Sequence, residues 1–154
     1  MTEDAQTTVA AKPKPDNALW LTSYITVADM PAYIRFAEQG LGFTLGNTMN
    51  GDDGTPMHAE FEYKGQVVLM ACPEGALGTT GKAPSTQGVA LPANFYLYVD
   101  DVDTAFAAAK AAGAQIDEPP TDQFWGDRTA RFTDPSGYGW MIGTHTGKEF
   151  APDM

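Results

Sequence analysis

The chain has 154 residues, enough to bury a core as one domain or as two intimately packed modules, and its 9 basic against 20 acidic residues give a net charge of −11. That balance argues against nucleic acid or an anionic membrane surface as partner, since both need clustered Lys and Arg. No apolar run approaches the roughly 18 to 20 residues of a spanning helix, and no secretion-type apolar stretch opens the chain, so a cytoplasmic protein without a membrane partner is expected.

Residues 1–18 are rich in Thr, Ala, Lys, Pro and Asp and are expected to form an N-terminal tail. A strand is predicted over 19–27, ending at Asp29, which caps a helix carrying Pro31 in its first turn and running to about Gln39. Gly40 and Gly42 stop that helix; Gly-Leu-Gly here follows a helix and so is a C-cap, not a phosphate loop. Strands over 43–49, 57–63 and 66–72 follow, separated by a turn at 50–54 and a tight turn at Lys64-Gly65. Residues 73–92 hold Gly, Thr, Ser and Pro without periodicity and read as a long connection. Cys72, the one cysteine, has no partner for an internal disulfide and reads as a small buried residue.

The order then repeats. A strand spans 94–99, Asp101 caps an Ala-rich helix ending at Gly113, and an extended segment begins at Gln115. Thr22 and Asn94, Tyr24 and Tyr96, Val27 and Val99, Asp29 and Asp101, and Gly65 and Gly137 all stand 72 residues apart, as 94 does from 22. A constant offset is the signature of an internal duplication, here of two βαβββ modules.

The stretch from Phe124 to Trp140, FWGDRTARFTDPSGYGW, carries the densest chemistry. It reads as loop, strand, turn and strand, with Asp134-Pro135-Ser136-Gly137 closing the hairpin. The order W-G-D-R, strand, D-P-x-G, aromatic strand resembles the second half of a vicinal oxygen chelate protein, the superfamily of glyoxalase I, bleomycin-resistance proteins and extradiol dioxygenases. Its PhnB-like branch is similar again at His58-Ala59-Glu60 and Thr144-His145, although Tyr138 stands where that branch commonly has His. The resemblance implies an α+β fold, two βαβββ modules forming a cup-shaped sheet with helices on the outer faces. The expected domain covers 19–146, with module one at 19–72, the linker at 73–92, module two at 93–146 and a C-terminal tail at 147–154. It implies a ligand site on the concave side, often completed across a homodimer.

Carried over residue by residue, the superfamily's four metal-ligand positions fall on Thr22, Leu69, Asn94 and Met141. None is a His or a carboxylate, so no metal and no other cofactor is expected. His58 and Glu60, two apart on a strand and on one face, read either as the solvated side of that strand or as a site, with Glu60 the catalytic residue if the protein is an enzyme. Alternation turns Tyr24, Asn94, Tyr96 and Tyr98 away from the helices, with Trp125 and Phe132 nearby. Flat rings with polar tips suit a planar ligand, and in an acidic surround a cation. Arg128 reads either as a ligand contact or as the partner of Asp127 or Asp134, and Trp140 as core. The expected function is metal-independent binding of a planar small molecule; the alternative is a glyoxalase-like metal-dependent lyase, isomerase or transferase using His58 and Glu60.

Overall fold

The computed structural model describes residues 11–148. Most of the expected tails at 1–18 and 147–154 lies outside the described residues, but the end of the first is tied to a sheet: Asn17 O accepts from Val67 N at 2.8 Å. Strand β1 (Ala18–Val27), helix α1 (Met30–Gly40) and strands β2 (Thr44–Asn50), β3 (Pro56–Tyr63) and β4 (Gln66–Pro73) form the first module. A 3-10 turn at Ala76–Gly78 and a one-turn helix α2 (Pro84–Gln87) follow, then β5 (Asn94–Tyr98), α3 (Val102–Ala111), β6 (Gln115–Asp122), β7 (Asp127–Thr133) and β8 (Gly139–His145). Both long helices start where an aspartate satisfies their free amides: Asp29 Oδ1 accepts from Ala32 N at 3.0 Å, and Asp101 Oδ1 from Asp103 N at 3.0 Å.

Each module builds a four-stranded sheet, in the orders β1-β4-β3-β2 and β5-β8-β7-β6. The β1–β4 and β5–β8 pairs are parallel and the others antiparallel, so β1 and β5 are edge strands. β6 is the opposite edge of its sheet, which is why it can carry Pro119-Pro120 beyond the extended start expected at Gln115.

The helix-side faces of the two sheets share one core. Tyr33 of α1 meets Phe61 of β3 edge-on at 6.1 Å, while Phe36 of the same helix meets Phe132 of β7 at 6.3 Å, so α1 lies against both sheets. The opposite faces of the sheets therefore look outward, away from each other. Asp134 fastens the two modules: its buried carboxylate accepts from Tyr33 Oη at 2.7 Å and Trp140 Nε1 at 2.9 Å, and from the amides of Ser136 and Tyr138. The linker is pinned to the same hairpin where Ser85 N donates to Ser136 O at 2.9 Å. Gly137, at φ +93°, has no room for a Cβ, which would lie 2.6 Å from Ser85 N.

Three expectations need correction. Phe132, placed near the ligand, is fully buried, stacked at 10° on Trp140, its cross-strand partner. Neighbours paired across antiparallel strands share a face, so a core Trp140 requires a core Phe132. The offset of 72 does not persist: Tyr24 pairs with Met70 and Tyr96 with Met141, which stand 71 apart. The offset is 72 at the helix starts, Met30 and Val102, and 71 at the glycines that follow, Gly42 and Gly113, because α3 is one residue shorter than α1, so Leu69 falls in the core and Met70 holds its expected place. Finally, Arg128 pairs with Asp103 at 3.0 Å and Asp122 at 3.3 Å, not with Asp127 or Asp134.

β1 is irregular at its start. Between the pairs Ala18–Val67 and Ser23–Leu69, β1 advances farther than β4, and the excess bulges out as Leu19-Trp20-Leu21. Trp20 is 80% and Leu21 88% exposed.

Candidate functional site

On the outer face of the second sheet, pairing sets residues in rows: Tyr96, Met141 and Arg131; Tyr98, Gly143 and Thr129; then His145 and Asp127. Asp127, 2% exposed, is the hub. Its Oδ2 accepts from Tyr96 Oη at 2.5 Å, Tyr98 Oη at 2.8 Å and Trp125 Nε1 at 3.3 Å, and its Oδ1 lies 3.0 Å from His145 Nδ1. Trp125 Nε1 also donates to Tyr96 Oη at 3.2 Å. Tyr96 spans two rows to reach this carboxylate by lying over Gly143, where a Cβ would come within 3.2 Å of its hydroxyl.

Burial disfavours a charge on Asp127, but the hydrogen bonds from Tyr96, Tyr98, His145 and Trp125 outweigh it and hold the carboxyl below the ordinary range. Burial, then the bond to Asp127, pushes the Tyr96 phenol far up; for Tyr98 the bond to Asp127 is the larger cause. Both phenols stay protonated and donate, so the rings are anchored at their tips. Their other faces remain open, with Tyr96 44% and Tyr98 56% exposed.

The outer face of the first sheet carries a smaller cluster. Tyr24 Oη lies 2.7 Å from His58 Nδ1, and His58 Nε2 lies 3.6 Å from Glu60 Oε1. Asn47 Nδ2 donates to Glu60 Oε2 at 3.1 Å. Tyr24 is 46% exposed, and its phenol is raised by burial and by Cys72 beneath it.

The structure thus brings Tyr24, His58 and Glu60 together on one outer face, and Asn94, Tyr96, Tyr98 and Trp125 on the other. The two groups do not meet within one chain. Arg128 alternates with Asp127 and Thr129 along β7 and lies on the opposite side, against the start of α3. Asp127 and His145, the centre of the second cluster, were absent from the sequence-predicted set. Their cross-strand pairing would have revealed them, because it follows directly from the β7–β8 turn once that turn is measured from Asp134 to Tyr138.

The superfamily's metal positions, in corrected register, are Thr22, Met70, Asn94 and Met141. A hydroxyl, an amide and two thioethers do not fit a divalent metal that favours imidazole and carboxylate. Among the described residues no group of three or more His, Cys, Asp or Glu is placed to share an ion.

Two sheets of the order found here, each built by a βαβββ unit, define the vicinal oxygen chelate fold. The chain belongs to the glyoxalase/bleomycin resistance protein/dioxygenase superfamily, whose model matches residues 18–142. An uncharacterized protein of Mycobacterium tuberculosis H37Rv is 30% identical over 125 residues, spanning 80% of this chain and 72% of that protein. Among solved structures, TioX from Micromonospora sp. ML1 is similar at 26% identity and TM-score 0.59, over 81% of this chain and 98% of TioX. A glyoxalase-related enzyme from Fulvimarina pelagi shares the fold at 22% identity and TM-score 0.60, over 82% of this chain and 89% of that one. No helix among the described residues is long and apolar enough to cross a membrane.

Proposed function

We propose that the protein is a metal-independent small-molecule binder of the bleomycin-resistance type, nearest the PhnB-like branch, and that it acts as a homodimer on a planar ligand with a cationic group. The observation that carries this reading is the pair of outward faces, one with exposed Tyr24 and the other with exposed Tyr96 and Tyr98, neither facing the other. In a two-fold dimer, β1 of one chain beside β5 of its partner joins the first sheet of one to the second sheet of the other. Each of the two resulting crevices then holds Tyr24, His58 and Glu60 from one chain and Tyr96, Tyr98 and Trp125 from the other. Rings on both walls grip a flat molecule, and Glu60 with the net acidity of the chain favours a cation.

Thermal melts test the reading. Proflavine, a planar cationic dye, is expected to raise the melting temperature, whereas Zn, Ni, Mn, Fe(II) and Mg leave it unmoved. Trp125→Ala is expected to diminish the dye's effect with little change in the fold. A stoichiometric metal in the purified protein, with metal stabilisation lost in His58→Ala, would replace this reading by a glyoxalase-type lyase, isomerase or transferase.

A further inference from the structure

His145 has a role that ring stacking does not use. The Asp127 carboxylate can only accept hydrogen bonds, so the proton between it and His145 sits on Nδ1. Neutral His145 is thereby held as the Nδ1–H tautomer, with the bare Nε2 lone pair directed away from Asp127. Its side chain is 62% exposed while that of Asp127 is 2% exposed. A buried carboxylate behind an accessible imidazole is the arrangement of an oriented base: the carboxylate fixes the ring and leaves Nε2 open to a ligand. Tyr96, Tyr98 and Trp125 cannot take a ligand's proton, because a neutral phenol or indole is not a base in water, and all three donate within the Asp127 cluster.

We infer that the second module's face takes a planar ligand bearing an acidic hydroxyl, a phenol or an enol, and that His145 Nε2 accepts its proton. This rests on the crevice reading above and adds the chemistry of one wall. In the step, the ligand's O–H bond breaks with its electron pair left on oxygen, and an N–H bond forms at Nε2. The total charge of Asp127, His145 and ligand is unchanged, which is what a partly closed site favours over creating a new net charge. Asp127 acts through His145 and is a positioning residue.

The probe is 4-nitrophenol, whose anion absorbs in the visible, added at a pH where the free phenol is mostly neutral. Binding is followed separately by calorimetry. The expected result is binding accompanied by the anion band in the wild-type protein. His145→Gln should bind the phenol without the band, and Asp127→Asn should show a weakened band. A ¹⁵N spectrum of the unliganded wild-type protein, which needs no variant to fold, should show neutral His145 protonated at Nδ1. Protonation at Nε2 instead overturns the inference. Binding without the band, or a band that survives in His145→Gln, also overturns it while leaving the crevice reading in place. Failure of the wild type to bind the phenol overturns it as well, and the crevice reading falls too only if proflavine also has no effect.

Discussion

Asp127 shows how a single residue organises a surface. Four donors converge on one buried carboxylate, and removing its charge leaves phenol, indole and imidazole hydrogens with a weaker acceptor. Hydrogen bonds to a buried charge contribute about 1.5 to 3 kcal/mol each in favourable cases, though not additively. Asp127→Asn is expected to lower stability at neutral pH by about 2 kcal/mol on that scale. The folded carboxyl titrates below its unfolded value of about 4, so its contribution is present above that value and is lost as pH falls through the folded one. Denaturant melts should therefore show wild type and variant converging in acid; a constant gap down to the acid limit would assign the stabilisation to packing instead. Asp127 and His145 lie in motifs visible in the sequence, W-G-D-R and Thr144-His145, but nothing there joined them into one cluster. Strand alternation marks a face, whereas a hub shows only when two strands are set in register, and a single-residue error in the turn hides it.

At the scale of elements, most strands and both long helices were legible because caps and turn residues punctuate them: Asp29, Asp101, Gly42 and Lys64-Gly65 all sit where the chain changes direction. What was not legible was which face of β7 met the core. Arg128, Ala130 and Phe132 alternate with Thr129 and Arg131, and an aromatic residue suits either side. The Phe132–Trp140 pairing decides it, since the two rings stack on each other and Phe132 meets Phe36 of α1. Phe132→Ala is expected to cost about 3 to 5 kcal/mol, the range for emptying a buried aromatic site. Arg128→Ala, which removes only partly exposed ion pairs with Asp103 and Asp122, is expected to shift the melting temperature little. A large loss for Arg128→Ala would mean that its tether to α3 carries more of the second module than its exposure indicates.

For the whole molecule, the decisive feature is the side of the sandwich where β1 and β5 end. Leu19, Leu21, Phe43, Phe95, Leu97 and Trp140 border a cavity of about 260 Å³ there, open toward two unpaired strand edges. Edges of this kind are normally blunted or covered. Sedimentation equilibrium is expected to show a dimer, and Leu21→Glu, which sets a carboxylate beside that mouth, is expected to shift the protein toward monomer and to abolish ligand-induced stabilisation. A wild-type monomer that still binds ligand with undiminished affinity would remove the dimer crevice from the mechanism. The sequence left open whether the cup closes within one chain or across two. The course of α1 against both sheets favours the proposed closure across two chains, and a helix stripe read from sequence does not reveal that it serves two partners.

The hydrogen bond from Tyr33 to Asp134 joins the first module's helix to the second module's hairpin. Although the halves carry the marks of duplication, neither retains its ancestor's independence: Asp134 would be left short of a donor without the first half, and Tyr33 and Phe36 would be left uncovered without the second. Autonomy gives way to cooperativity: the chain is expected to unfold in one step, and a cut in the linker to yield two fragments that fold only together.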